Sequence, residues 1–436
     1  LEEENCGASR KEKIAAVREE MKKKGAENLL LTSLDDIAWL FNMRGNDIAY
    51  NPVVLSFCII TEKEVSLFIQ KGSLNAEQEI QFVMDGILLD EYLKVYDYVK
   101  TLPGKSIWLN DQKTSYALME NLPKDIQILK GMTPVAYTKC VKNEKEQENM
   151  RIAHVKDGVA MTKFMYWLKQ NAGKMEMTEI SATEVLSGFR KAQEGFVEES
   201  FTTITGYGPN GAVIHYHATE ESNAEIKPEG LLLVDSGGQY LEGTTDITRT
   251  FAMGPVTEEE KRNFTTVLKG NLRLGNVTFK EGCTGENLDM VSRGPLWEAG
   301  LDYNHGTGHG IGFVLNVHET PARINWKGRP GYGENAPFKP GMIVSNEPGF
   351  YKEGAHGIRL ENLILCQEAK TTEYGRFLNF ETLTLVPFDL DAVDVTLLDS
   401  KEKQLLNDYH SRVYRELSAY MTEEELVWLK NATRAI

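Results

Sequence analysis

Apolar positions over the first 140 residues switch between two spacings. In "KEKIAAVREEMKKKG" (residues 11–25) they recur three and four apart and end at a glycine, which predicts an amphipathic helix. "ENLLLTS" (27–33) is a compact apolar run and predicts a strand, "DDIAWLFNMRG" (35–45) a second helix, and "VVLSFCIITEKEVSLFI" (53–69) a hairpin. "KSIWLN" (105–110) and "TSYALMENL" (114–122) add a strand and a helix. This stretch reads as an α/β unit without a catalytic cluster, suited to a scaffold or cap.

From about Asn143 the run "NEKEQENMRIAHVKDGVAMTKFMYWLKQ" predicts a long helix that opens a second domain. Another helix is expected from about Glu179 to Gln193. Short strands with glycine turns then continue through "LTLVPFD" near Phe388, interrupted by helices around 257–275 and 284–299. Segregated strands and helices of this kind indicate α+β. From about Ser400 two helical stretches rich in Leu, Tyr and Glu suit packing or subunit contact. The expected domains are 1–142, 143–390 and 391–436.

The length of 436 residues fits two or three domains, and 41% hydrophobic with 26% charged residues is ordinary for a globular chain. A formal net charge of −16 without a basic stripe argues against nucleic acid as a partner. Five scattered cysteines match neither a disulfide framework nor a zinc spacing, so a reducing, cytoplasmic setting is expected. No apolar run approaches the roughly 18 residues that a membrane span needs. The start, "LEEENCGASR", is no signal peptide, and its first residue is Leu, so a preceding native segment is expected. N-x-S/T triplets at Asn263, Asn276 and Asn431 are weak glycosylation signals.

Six of the eight histidines fall between His215 and His356, together with two pairs of carboxylates. In "HGTGHGIG" (305–312) the four glycines disfavour a helix. An extended strand puts His305, Thr307 and His309 on one side and the glycines on the other, where backbone can approach closely. In "LLLVDSGGQYLEGTTDITRTFAMG" (231–254) a hairpin about Tyr240 and Leu241 sets Asp235 across from Asp246. Like charges there repel, so Arg249 or a cation is expected between them. In "VSNEPGFYKEGAHGIRLENLIL" (344–365) a fold about Gly354 sets Glu347 across from Glu361, with Arg359 on the same face.

Two Asp, two Glu and one His form a mostly oxygen ligand set suited to Mn²⁺, Zn²⁺ or Co²⁺, and four carboxylates balance two divalent ions. Such a pair supports hydrolysis by a bridging hydroxide. Rival machinery is missing: "HETPA" (318–322) breaks the H-E-x-x-H pattern, and there is no G-x-S-x-G elbow or phosphate-binding loop.

At these residues the chain resembles the pita-bread, M24-type metallopeptidases, which hold two metal ions through two Asp, one His and two Glu in this chain order. The matching positions are Asp235 in "VDSG", Asp246 in "TTDITRT", His309 in "GTGHGIG", Glu347 in "NEPGFY" and Glu361 in "IRLEN". Within that family "DDIAWLFNMRGNDIAYNPV", "GPNGAVIHYH", "EAGLDYNHGTGHGIG" and "LNVHE" look most like the cytosolic eukaryotic-type Xaa-Pro aminopeptidases. The resemblance implies a creatinase-like α/β domain, a pita-bread catalytic domain and a C-terminal extension used in dimerisation, hence a homodimer. Three-domain members carry a further creatinase-like domain in front, so this chain is expected to be a fragment, with a two-domain enzyme as the alternative.

The resemblance also implies hydrolysis of the N-terminal bond of peptides with proline in the second position, using two divalent ions, Mn²⁺ first among them. Asp235 would hold one ion and His309 the other, with Asp246, Glu347 and Glu361 shared and Glu347 the base. His215, His305 and His318 would surround the substrate, stabilise the developing oxyanion and help bring a proton to the leaving nitrogen. Arg359 would orient carboxylates. His154, His217 and His410 are expected to be ordinary polar residues and His356 to be exposed. A dipeptide-specific prolidase and a non-catalytic binding module are the alternatives.

Overall fold

The computed structural model describes residues 1–328 and 336–436. Its first sheet has six strands in the spatial order Ile87–Glu91, Val65–Ile69, Ser56–Thr61, Asn28–Leu31, Ser106–Leu109, Gln127–Lys130. The central hairpin is antiparallel and the flanking strands join in parallel. The helix predicted over 11–25 spans Arg10–Lys24, opened by a Ser9–Glu12 capping box and closed by Gly25 at φ 71°. The next helix is shorter than its pattern, Leu34–Leu40. Asn42 at φ 52° turns the chain out, and the Arg44 guanidinium donates to the carbonyls of Val314 (2.5 Å) and Phe313 (2.7 Å) in the second half of the chain. The edge strands Ile87–Glu91 and Gln127–Lys130 are half exposed, so no apolar alternation marked them.

The long helix runs Glu144–Asn171 from a capping box of Asn143 and Glu146, and a second runs Glu179–Lys191. Strand Leu231–Ser236 lies between Ile204–Tyr207 and Ile247–Ala252. A second six-stranded sheet follows the order Phe279–Lys280, Gly375–Thr382, Asn362–Thr372, Ile343–Asn346, Gly308–Gly310, Glu319–Ile324. Helices Glu258–Gly275 and Gly285–Glu298 stand where the pattern put them. Asn263 is buried in the first of these, which closes that position to a glycan.

"LTLVPFD" is not a strand, although its residues are buried. The N–H of Val386 donates to Tyr409 Oη (3.2 Å) and that of Phe388 to His410 Nε2 (3.0 Å), so side chains of helix Ser400–Leu417 stand in for a strand partner. His410 is fully buried.

One buried ion pair ties the two long helices to the strand pair behind the candidate site. Arg190 Nε donates to Asp157 Oδ1 (2.7 Å), and Asp157 also accepts from Tyr240 Oη (2.9 Å) and Thr245 Oγ1 (2.7 Å). Arg190 Nη2 reaches Ser236 Oγ (3.1 Å). Ser236 follows Asp235 and Thr245 precedes Asp246. Neighbours in an extended chain point to opposite faces, so the network anchors the strands from behind and leaves both aspartates facing forward.

Asp157→Ala strands the Arg190 charge in the interior and is expected to cost about 3–5 kcal/mol in urea unfolding. Burial also pushes the His410 imidazole from 6.5 down to about 3 in the folded chain. As pH falls below 6.5 the unfolded chain takes up a proton that the native one refuses, so stability is lost toward acid. Between pH 6.5 and 5 this one group contributes up to about 2 kcal/mol. His410→Gln is expected to flatten the difference in urea midpoint between pH 7 and pH 5.

Candidate metal centre

The two hairpins expected to carry the carboxylates are present, with one change of register. The ladder pairs Asp235 with Thr248, and Tyr240 stands opposite Gly243, so the turn is Leu241–Glu242. The expected direct pairing of Asp235 with Asp246 is therefore out by two residues. Gly238 opens the short strand Gly238–Tyr240 and Gly237 joins it to Leu231–Ser236, so neither glycine is in the turn. A Cβ at Gly237 would sit 2.0 Å from the Thr245 carbonyl oxygen. Because the side-chain period is also two, Asp235 and Asp246 keep a common face.

Arg249, one of the two candidates for the space between them, points away, because position 249 alternates with 246 and 248. Buried on the far side, it donates to the carbonyl of Glu361 (2.6 Å), to Asn362 Oδ1 (2.7 Å) and to the carbonyl of Val386 (2.9 Å). The cation that meets Asp235 is Arg359, which donates to Asp235 Oδ2 from Nη2 (2.6 Å) and Nε (3.2 Å).

The second hairpin has the expected register. Asn346 pairs with Asn362 and Gly349 with Arg359, so Glu347 and Glu361 oppose one another between those ladders. Thr248 Oγ1 donates to Glu361 Oε2 (2.7 Å), and Ser345 Oγ donates to Glu347 Oε1 (3.0 Å).

The glycine-rich segment is extended, with Gly308–Gly310 as its strand. It is wedged between two neighbours: a Cβ at Gly308 would lie 1.9 Å from the Ser345 carbonyl oxygen, and one at Gly310 2.4 Å from that of Glu319. The close approach expected of the glycines is therefore present. Thr307 departs from the expected face, since its hydroxyl donates to buried Asp289 and pairs with Tyr303.

Asp246, His309 and Glu361 each offer a ligand atom, all within 4.8 Å of one another. His309 Nε2 lies 3.4 Å from Asp246 Oδ2 and 3.6 Å from Glu347 Oε1. All five residues of the expected ligand set line a single cavity of about 730 Å³. Burial, then the charges of Asp235 and Glu347, pushes the Asp246 carboxyl well above its ordinary range. Burial, then Asp246, does the same to Glu361. Glu347 is also raised, by burial, against the pull of His309 and Arg359. Asp235 Oδ1 is buried without a hydrogen-bond partner. These oxygens are short of positive charge, and the oxygen-rich donor set with one imidazole fits hard or borderline divalent ions.

His215, His305 and His318 all line the same cavity, and so does His217, which was expected to be ordinary. His305 is fixed at both nitrogens: Nδ1 lies 2.8 Å from the Gly306 carbonyl oxygen and Nε2 2.9 Å from Tyr351 Oη. Tyr351 Oη accepts from Arg359 Nη1 (2.6 Å), so its own proton points at His305. Burial, then Arg359, pushes the His305 imidazole down to about 3. The ring of His318 packs 4.2 Å from that of His309, whose proximity pushes it down to about 3. No hydrogen bond engages the ring nitrogens of His215 or His318 among the described residues. His356 is buried, not exposed, with Nε2 3.3 Å from Asn263 Nδ2. His154 lies buried in the long helix, outside the cavity.

Three further lining residues were not legible in the pattern. Tyr50 arrives from the first half of the chain at φ 66°, its N–H donating to Glu198 Oε2 (3.0 Å). Glu319 lines the cavity while both its oxygens are held by Lys139 and Lys142 from the end of the first half. Arg323 stands directly opposite His309 in the strand ladder. Tyr50 falls within "DDIAWLFNMRGNDIAYNPV" but nothing there singles it out, while no motif marks Arg323, whose register a bulge conceals.

Comparison with known proteins agrees with this architecture. Residues 148–368 match the model of metallopeptidase family M24, residues 1–146 that of the creatinase/prolidase N-terminal domain, and residues 376–436 that of the C-terminal region of peptidase M24. A probable Xaa-Pro aminopeptidase P of Paracoccidioides brasiliensis is 40% identical over 454 residues, covering 99% of this chain and 73% of that protein. Xaa-Pro aminopeptidase 1 of Dictyostelium discoideum is 37% identical, covering 100% and 70%. The crystal structure of an X-prolyl aminopeptidase from Caenorhabditis elegans, described as a cytosolic enzyme with a di-nuclear active site, superposes with a TM-score of 0.94 at 33% identity, covering 100% of this chain and 72% of that one. An Xaa-Pro dipeptidase from Bacillus anthracis shares the fold, with a TM-score of 0.68 at 24% identity and coverage of 88% and 99%. Carboxylate hairpins, histidine strand and relatives matched along this whole chain agree: the chain is a peptidase and belongs to metallopeptidase family M24.

Proposed function

We propose that this chain is a metal-dependent aminopeptidase that cleaves the first residue from peptides with proline in the second position. The observation that carries the proposal is the convergence of Asp235, Asp246, His309, Glu347 and Glu361 on one cavity floor with a deficit of positive charge. Asp235 and His309 would each serve one of two divalent ions, Mn²⁺ by preference, and the other three carboxylates would be shared. When bound, the ions supply an activated water and polarise the scissile carbonyl. Relatives matched along this whole chain at 37–40% identity are named aminopeptidases, which favours this reading over a dipeptidase.

The residues divide the remaining work. Glu347, beside His309 and raised above its ordinary range, is placed to take the proton of the attacking water. Arg359 holds Asp235 in place and, through Tyr351, fixes His305. With both ring nitrogens engaged, His305 is a wall residue and a poor proton carrier. His215 and His318, with ring nitrogens unengaged, face the substrate. The nitrogen of an Xaa-Pro bond carries no hydrogen and leaves only after receiving a proton, which one of these two would deliver or relay. The cytosol is the proposed setting, as described for the nematode relative.

Glu347→Gln is expected to lower kcat on an Xaa-Pro-Xaa tripeptide by about 10²–10⁴. Turnover within two-fold of the unaltered chain, or hydrolysis confined to Xaa-Pro dipeptides, would sink the proposal. Protons held by the raised Asp246 and Glu361 carboxyls must leave before a cation binds. Mn²⁺ affinity is therefore expected to rise with pH and binding to release protons, measured by calorimetry in buffers of different ionisation enthalpy. Dialysis against a chelator is expected to abolish turnover, and added Mn²⁺ to restore it.

A further inference from the structure

Glu179 is the first residue of helix Glu179–Lys191, and its carboxylate is fully buried. Its hydrogen-bond partners among the described residues are all neutral. Oε1 accepts from the N–H of Tyr207 (2.7 Å) and from Asn210 Nδ2 (3.0 Å), and Oε2 from Tyr216 Oη (2.8 Å) and the N–H of Ala224 (2.9 Å). A carboxylate taken out of water without a cation is costly unless donors surround it. Here the four donors come from one segment of chain, at its entry, its middle and its exit.

That segment carries His215 and His217, which line the cavity. From Val213 to Gly230 it runs outside helix and strand, so other contacts must fix its shape. Tyr216, between the two histidines, is buried, and its hydroxyl also accepts from Asn210 Nδ2 (2.9 Å). Near its start the segment is pressed onto the strand His356–Arg359. A Cβ at Gly357 would lie 1.7 Å from the Gly211 carbonyl oxygen, and Arg359 Nη2 lies 3.4 Å from that of Ile214. The segment is therefore held between the strand that carries Arg359 and the carboxylate of Glu179. With its ring unengaged among the described residues, His215 takes its place from the main chain around it.

We propose that Glu179 is a positioning residue for the reaction: through Tyr216 it holds His215 where a proton can pass to the departing nitrogen. This rests on the reading of the cavity as a peptide-hydrolysing site with His215 facing the substrate. Glu179 does not itself line the cavity, and the five candidate ligands stand on other segments. Its loss therefore acts on turnover rather than on metal binding. Small displacements suffice, because a shift of about 1 Å can cost on the order of 10²-fold in rate.

The test uses the full chain loaded with Mn²⁺ and an Xaa-Pro-Xaa tripeptide, with Glu179→Gln, His215→Ala and the two combined. Glu179→Gln keeps the volume but sets an amide NH₂ against groups that donate. It is expected to lower kcat by about 10- to 100-fold, with KM and calorimetric Mn²⁺ affinity within about two-fold of the unaltered chain. In the His215→Ala background the same substitution is expected to change kcat by less than about two-fold, because the group it positions is gone. Tyr216→Phe keeps the buried ring and removes only the hydroxyl. It is expected to lower kcat by about three-fold or more, and to lose that effect in the His215→Ala background. Unchanged kcat in folded Glu179→Gln, Tyr216→Phe or His215→Ala overturns the inference alone. So do penalties that multiply in the combined variant, or a loss of Mn²⁺ affinity that accounts for the whole fall in kcat. If Glu179→Gln does not fold, Tyr216→Phe decides by the same criteria. Failure of the unaltered, Mn²⁺-loaded chain to cleave the tripeptide overturns the peptidase reading and this inference with it.

Discussion

Four carboxyl groups share one cavity floor, and three of them are pushed toward their neutral forms by burial and by one another. Left to itself, such a cluster favours separation of the strands that carry it. The surrounding structure holds it together. Among the described residues Arg359 is the one arginine or lysine in direct contact with the cluster, through Asp235. The remaining charge deficit is the physical basis for a site that takes divalent cations.

Holding the aspartates in place falls to groups that never face the cavity. Asp157 and Arg190 grip Thr245 and Ser236 from behind, one residue away from Asp246 and Asp235. Arg249 takes the Glu361 carbonyl from the far side, so the two carboxylate hairpins are stitched through main chain as well as through Thr248. Alternation along extended strands makes this division possible, with one face for chemistry and the next residue for anchoring. The histidine strand follows the same logic, because Gly308 and Gly310 let it lie against two neighbouring backbones while His309 reaches the carboxylates.

The first half of the chain contributes more than a cap. Arg44 caps carbonyls beside the histidine segment, Lys139 and Lys142 hold the Glu319 carboxylate of a cavity wall, and Tyr50 enters the cavity itself. The cavity is therefore lined and braced by both halves together. A helix pattern read over 35–45 did not reveal this, because Arg44, just past the end of the helix, finds its partners about 270 positions away.

Local pattern determined a large share of this protein. Helix positions followed from the spacing of apolar residues, and the Glu347–Glu361 hairpin followed from its glycine turn. The extended form of "HGTGHGIG" followed from glycines that a helix rejects, and the five candidate ligands were legible as residue types in a fixed order. These features depend on backbone preferences and on contacts between near neighbours. What the tertiary structure alone decided is where side chains find partners across long separations. It moved the Asp235 hairpin by two residues, turned Arg249 outward, sent Arg359 to Asp235 and tied His305 to Tyr351. It also buried His356, replaced a strand partner for "LTLVPFD" by Tyr409 and His410, and set Arg323 opposite His309. Charge and hydrogen bonding in the interior are settled by whichever group lies within about 3 Å. Sequence spacing does not encode that distance once the chain has folded back on itself.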